Sequence, residues 1–188
     1  GSGRIEDGME MVRIAAGLTE AEFQDKPHMF TNINSTSPLK HDWPMLDGAM
    51  RCARRGQAVV ISPFTLSGAM APATVAGAIV QQNAEFLAGL VLMQSVRPQT
   101  PVIYGAFTSN VDMKSGSPAF GTPEYIRAMQ ISGQLARRYD LPWRGSVASA
   151  ANYPDGQAVW ESMASLNAIS SGHCHMVYHA AGWLEGGL

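Results

Sequence analysis

Five groups of residues in this 188-residue chain have side chains suited to chemistry: Asn32 and Asn34; Pro63, Phe64 and Thr65; Tyr104, Phe107 and Thr108; Ser146 to Tyr153; and Tyr178, His179 and Trp183. Each group lies at or just past the end of a segment that reads as a strand, where parallel α/β proteins place their sites. Together they are rich in aromatic rings and amides and hold no paired carboxylates, since Asp112 and Glu185 stand isolated. Acid/base work of the glycosidase kind is therefore not expected, and without a G-x-S-x-G elbow neither is an α/β-hydrolase. Rings around a mouth with few charges suit a quaternary ammonium ligand, at roughly 2 kcal/mol or more for each desolvated cation–ring contact. Against that stands the ordinary use of strand-end aromatics as lids on a core.

The run "GHCHMVYH", residues 172–179, is the only one with metal-ligand chemistry. His173 and His175 point to one face of a strand and Cys174 to the other. Their spacing is tighter than the C-x-x-C or H-E-x-x-H of zinc sites, so a structural role is expected and no metal. His179 lies near the strand's carboxyl end and can titrate near neutrality, which makes it the best single acid/base or hydrogen-bonding candidate. The 11 methionines are scattered along helices and read as core filling.

The elements that must position these residues follow from periodicity and punctuation. Residues 4–26 read as two short helices broken at Gly17, with Thr19 capping before Glu22. This N-terminal helical segment, residues 1–30, is set apart from the βα repeats of residues 31–188. "FTNINS" is a strand, "WPMLDGAMRCARRG" a helix stopped by Gly56, and "QAVVISPF" a buried strand. A helix from about Pro72 to Val96 precedes the strand "PVIYGAF"; Thr122, Pro123 and Glu124 open the next helix, which ends near Tyr139. "RGSVAS" follows as a strand, Asp155 starts a helix through Ser171, and "HMVYHAAG" is the fifth strand. Strand–helix–strand repeats without hairpin signals predict a parallel sheet in an α/β fold, about half of a (β/α)8 barrel. Such a fragment leaves two sheet edges to cover, by a complementing chain or in a homo-oligomer.

Composition bounds the function. Apolar residues make up 46% and charged residues 15%, and the net charge of −2 gives no case for nucleic acid or an anionic membrane. Arg51, Arg54 and Arg55 sit at a helix end, where cations offset the dipole. The apolar stretch from Ala73 to Val96 is interrupted by Gln81, Gln82, Asn83 and Glu85 and reads as a largely buried helix of a soluble protein. The start of the chain has no apolar h-region, and two cysteines make no disulfide framework, so a cytoplasmic location is expected. No strand-to-helix turn carries a Gly-rich phosphate cradle.

The stretches "SPFTLSGAMAPATVAGAIVQQNAEFLAGLVLMQSVRPQTPVIYGAF", "GSPAFGTPEY", "YPDGQA" and "HAAGWLEGGL" resemble the trimethylamine methyltransferase family, in order from about Asn32 to Leu188. The resemblance implies a (β/α)8 barrel in a chain well over twice this length. It also implies a cytoplasmic enzyme of methylamine metabolism and methanogenesis, which passes a methyl group to the cobalt of a separate corrinoid (cobalamin) protein. The family's archaeal trimethylamine enzymes carry pyrrolysine just before the "PD-x-QA" helix start, which falls at or near Ala148 in this chain. The residues there, "SVASAAN", offer no electrophilic imine.

A quaternary ammonium needs none, because it is already charged and leaves as a neutral tertiary amine once a methyl is removed. The protein must hold it, exclude water and align the N–CH3 bond with Co(I). The pyrrolysine-free branch is similar to glycine betaine methyltransferases, and a glycine betaine-like quaternary amine is the substrate this implies. Phe64, Phe107, Tyr153, Tyr178 and Trp183 would form the cation box, with His179 and Asn34 on the carboxylate or lining the pocket. No arginine positioned for that carboxylate is evident. The alternatives are trimethylamine demethylation by a pyrrolysine-free route, a non-catalytic methylamine- or betaine-binding protein, or an aldolase-like enzyme using Lys40 or Lys114.

Overall fold

A computed structural model describes residues 2–181 and 183; Glu185 lies outside the described residues. In chain order the elements are α1 (Ser2–Ala15), α2 (Glu20–Asp25), β1 (Phe30–Ile33), α3 (Trp43–Arg54), β2 (Ala58–Ile61), β3 (Leu66–Ser67) and α4 (Val75–Val96). They continue with β4 (Val102–Gly105), β5 (Ser109–Val111), β6 (Pro118–Ala119), α5 (Pro123–Arg138), β7 (Trp143–Ser146), α6 (Gly156–Ser171) and β8 (Met176–Tyr178). Helices begin where a side chain can take an orphan backbone N–H. Thr19 and Glu22 form a capping box, and Thr74, Thr122 and Asp155 accept from Gly77, Tyr125 and Ala158.

Strands β1, β2, β4, β7 and β8 form one parallel sheet, with neighbours in sequence order and a helix in every crossover. Flat, five strands at about 4.8 Å spacing would hold the outer two roughly 19 Å apart. Instead the rings of Phe30 on β1 and Tyr178 on β8 approach to 6.1 Å between centroids. The sheet is therefore curled into an α/β half-barrel, as in part of a (β/α)8 fold.

Strand alternation divides the two faces. Val59, Ile61, Tyr104 and Trp143 face the helices and join Phe86, Met93, Met129 and Ile169 in the main core. Their neighbours face the concave side, and the register aligns Asn32 with Val60, Val60 with Ile103, Gly105 with Arg144, and Ser146 with Tyr178. At α1–α3 an ion network docks the N-terminal helices: Arg55 bonds Glu10 and Glu20, and Arg51 bonds Glu6 and Asp47. Arg51 and Arg55 thus act through specific partners as well as through the helix dipole.

Two expectations are corrected. A hairpin is present: β5 and β6 pair antiparallel beside β3 in a small second sheet built from the loops after β2 and β4. Its turn is closed by Asp112, which accepts from the Lys114 N–H and the Ser115 hydroxyl, and by Gly116 at φ +77°. Helix α4 is buried on one face only, with Val80 70% and Val91 65% exposed. By length and composition it could cross a membrane, yet its buried face carries Gln82 and Glu85.

Those two side chains reach past the core to the strand-end loops. Glu85 accepts from the Ser37 hydroxyl at 2.7 Å, Leu39 N–H at 2.8 Å, Gln81 at 2.9 Å, and the Ser35 hydroxyl, pinning the loop after β1. Gln82 donates to Ser132 and Tyr104 and accepts from Thr108, whose hydroxyl also meets Thr65. Such groups must be fully paired at this depth, and they are.

Gly105 on β4 packs directly against the end of β2. A Cβ there would lie 2.5 Å from the Ile61 carbonyl oxygen and 2.7 Å from Ser62 Cα. Gly105→Ala is expected to cost about 1–3 kcal/mol by overpacking, read as a lower denaturant midpoint at unchanged slope. An unchanged midpoint would mean that β2 and β4 part without penalty.

Candidate functional site

β7 has the sequence Trp-Arg-Gly-Ser. Trp143 turns to the helices, where Gly133 and Gly172 leave room for its ring, so Arg144 and Ser146 turn inward. Arg144 is only 4% exposed. Its guanidinium carbon stands 3.8 Å from the centroid of the Tyr178 ring and 5.9 Å from that of Phe107. Among the described residues it makes one long hydrogen bond, from Nη1 to the Ala106 carbonyl at 3.4 Å, and Nε has no partner. Among the described residues no carboxylate forms an ion pair with it. Burial lowers its pKa to about 10, so it remains charged at neutral pH.

Phe107 is the hub of the ring cluster around this charge. Phe64 and Phe120 stack on it at 5.2 Å each, and Tyr125 and Trp183 meet it edge-on at 6.4 and 6.0 Å. His179 lies 5.9 Å from Phe107, 5.8 Å from Tyr178 and 4.2 Å from Trp183. It adopts the left-handed backbone at φ +57°, which ends β8 and turns the ring toward the cluster. Burial first, and then the Arg144 charge, push its pKa down to about 4, leaving a neutral imidazole at pH 7. The fully buried Tyr125 donates its hydroxyl to the Ser146 carbonyl at 2.7 Å and fixes the end of β7.

Among the described residues, four of the seven buried polar side-chain atoms without a partner belong to this one place: Arg144 Nε, Ser146 Oγ, His179 Nδ1 and Trp183 Nε1. Buried groups of this kind are normally satisfied. These four converge beside a cation that has no carboxylate partner among the described residues, an arrangement whose chemistry suits an anionic, acceptor-bearing group with aromatic faces alongside.

Of the residues expected from sequence, the structure thus brings together Phe64, Phe107, Tyr178, His179 and Trp183. It does not bring in Tyr153, which is 73% exposed and in no ring contact. Asn34 is exposed at the end of β1, where it accepts from Asn32, which in turn accepts from Ser62. Ala148 is fully buried just past β7, its carbonyl accepting from Ser165 at 3.0 Å. His175 and Cys174 serve the backbone: Trp143 N–H donates to His175 Nδ1 and Gly145 N–H to Cys174 Sγ.

Arg144 is the residue that sequence reasoning missed: no arginine was expected at this place, and the structure sets one within the ring cluster. Its signal was present: an arginine inside a short buried strand, two residues before a strand-end serine, at an inward position by alternation.

A curled βα sheet with a cluster of aromatic rings around a buried guanidinium at its carboxyl end is the architecture of part of a (β/α)8 barrel. A family model described as trimethylamine methyltransferase (MTTB) matches residues 1–188, and the chain belongs to that family. It is similar to the glycine betaine methyltransferase of Desulfitobacterium hafniense, 41% identical over 98% of this chain and 39% of that one. It is 36% identical to the proline betaine:corrinoid methyltransferase of Eubacterium limosum, over 86% of this chain and 33% of that one. A trimethylamine methyltransferase of Methanosarcina mazei is 32% identical over 95% of this chain and 36% of that one. The chain therefore spans well under half the length of these curated relatives.

The half-buried, neutral His179 sets a pH dependence. Its folded pKa of about 4 lies below the unfolded value of about 6.5, so the unfolded chain takes up the proton first. The stability tied to neutral His179 is complete above pH ~6.5 and is lost as pH falls toward ~4. The wild type should lose more thermal stability over this interval than His179→Gln. Superimposable losses, or a ring titrating near 6.5 by NMR, would contradict the burial described.

Proposed function

We propose that this chain carries the substrate pocket of a methyltransferase that moves a methyl group from glycine betaine, or a similar quaternary ammonium carboxylate, to the Co(I) of a corrinoid held on a separate protein. The observation that carries this reading is the buried guanidinium of Arg144 beneath the Phe107 cluster, which has no carboxylate partner among the described residues. A carboxylate on Arg144, with hydrogen bonds from Ser146 or Trp183, would satisfy both the charge and the orphan donors. The trimethylammonium end would then meet the faces of Phe64, Phe107 and Trp183.

Neutral His179 adds no like charge to Arg144, so the positive field is set by one residue. That field favours a zwitterion and disfavours a bare cation such as choline or trimethylammonium. The names of the relatives, two of which act on betaines, support the same substrate class.

The reaction asks little more of the protein than this grip. As the Co(I) electron pair forms the new bond to carbon, the N–CH3 bond breaks and its electrons stay on nitrogen. Cobalt is formally oxidised to Co(III), and a neutral tertiary amine leaves with no proton transferred. The chain's own residues bind, orient and exclude water. The buried Ala148, where the family's archaeal enzymes carry an electrophile, fits a substrate that is already activated by its permanent charge.

The test is formation of methylcobalamin from Co(I) cobalamin with glycine betaine, choline or trimethylamine. Glycine betaine should be the competent donor. Arg144→Gln should raise KM for it by about 30-fold or more, since truncating one partner of a desolvated ion pair costs ~2–5 kcal/mol, with a smaller effect on kcat. Methyl transfer from trimethylamine would assign the tertiary-amine reaction instead, and ligand binding without methylcobalamin would assign a binding protein.

A further inference from the structure

We propose that Glu161, on the outer helix α6, is a positioning residue that holds residues 147–151 in place and through them sets His179 and Trp183 at the mouth of the pocket. This rests on the reading of that cluster as the ligand site. The stretch 147–151, which includes the family's pyrrolysine position, contains no charged side chain, yet it is tied on both sides.

Toward α6, one carboxylate oxygen of Glu161 accepts from both the Ser149 hydroxyl and the Ala150 N–H at 2.8 Å, and the other accepts from Gln157 at 2.9 Å. The Ser149 hydroxyl also accepts from Ala151 N–H at 3.0 Å, and Ser165 donates to the Ala148 carbonyl. Toward the pocket, Val147 N–H donates to the Tyr178 carbonyl at 2.9 Å and Ser149 N–H to the Trp183 carbonyl at 3.3 Å. Ser149 is thus a single fully buried residue with one hand on Glu161 and the other on Trp183.

Glu161 is itself confined. Gly121, at φ +73°, packs so close that a Cβ there would lie 2.6 Å from Glu161 Cγ and 2.9 Å from its Cα. A carboxylate that takes three donors, with Gly121 packed against its stem, fixes the loop it holds. The chain of contacts runs from Glu161 through Ser149 to Trp183, whose ring lies 4.2 Å from that of His179. A short inert loop closes the place where relatives mount a long reactive side chain, and a charge from the outer helix gives that loop a single conformation. Precise support of this kind decides whether a pocket grips its ligand, because displacements of about 1 Å cost up to about 100-fold.

The test compares Glu161→Ala, Glu161→Gln and Ser149→Ala in two readouts: the NMR titration of the His179 ring without ligand, and calorimetric affinity for glycine betaine. In Glu161→Ala the His179 midpoint should move from about 4 toward the free value of ~6.5, and affinity should fall about tenfold or more. Glu161→Gln keeps a carbonyl oxygen for Ser149 and Ala150 and should stay within about threefold of wild type by the same argument. Ser149→Ala should move both readouts in the same direction by less, and it decides the matter should Glu161→Ala fail to fold. Wild-type midpoints and affinities in both alanine variants would overturn the proposal, as would a Glu161→Gln as impaired as Glu161→Ala. If the wild type itself takes up no glycine betaine, the substrate reading fails while the histidine titration still decides the role of Glu161.

Discussion

A guanidinium 4% exposed and, among the described residues, without an acidic partner is the interaction around which the concave side of this molecule is organised. Taking a charge out of water costs several kcal/mol unless something repays it. Here the protein supplies only partial compensation: the face of Tyr178 at 3.8 Å, the edge of the Phe107 cluster and one long bond to the Ala106 carbonyl. The register partner of Arg144 on β4 is Gly105, which adds no side chain beside it. Under the proposed function a ligand carboxylate would complete that charge, with its acceptor atoms near the unpartnered Arg144 Nε, Ser146 Oγ, His179 Nδ1 and Trp183 Nε1.

The helices do more than cover the sheet. Each of α4 and α6 sends a carboxylate to a strand-end loop, Glu85 to the loop after β1 and Glu161 to the loop after β7, while Gln82 ties Thr108 and Thr65. These contacts connect the outer layer to the rim of the pocket through buried, fully paired hydrogen bonds. They explain why α4, apolar enough to span a bilayer on composition, carries its polar side chains on the buried face and leaves valines outside. In a half-barrel, where the loops carry the chemistry, a helix that packs well but leaves its loop loose would serve poorly.

Much of this was legible in the sequence. β-Branched runs such as Val59-Val60-Ile61, the caps at Thr19, Thr122 and Asp155, and the ordered alternation of strands and helices located the main elements and their parallel pairing. Phe64, Phe107, Tyr178, His179 and Trp183 were singled out because strand ends are where barrels place sites, and the structure brings their rings together. The hairpin β5–β6 was not found, because its strands have three and two residues and its turn depends on Asp112 and Gly116 rather than on an Asn-Gly signal. Tyr153 was misjudged because an aromatic in a loop has no periodicity to say which way it faces, and the structure leaves it in solvent. Arg144 was overlooked because a lone charge reads as surface until alternation is applied to Trp143, whose bulk must face the helices. Its unpaired state is a property of three-dimensional packing that no one-dimensional pattern records.

The central claim is that one buried positive charge selects a ligand carrying both a quaternary ammonium and a carboxylate. Calorimetric binding of three molecules of nearly equal shape tests it without the corrinoid: glycine betaine, choline, which lacks the carboxylate, and 3,3-dimethylbutanoate, which replaces the ammonium nitrogen by carbon. The account predicts that glycine betaine binds at least about 30-fold more tightly than choline, the equivalent of ~2 kcal/mol for the desolvated ion pair. It also predicts a smaller loss for dimethylbutanoate, set by the cation–ring contacts. Choline binding as tightly as glycine betaine would mean that Arg144 does not meet the ligand, and the account would be wrong at its centre.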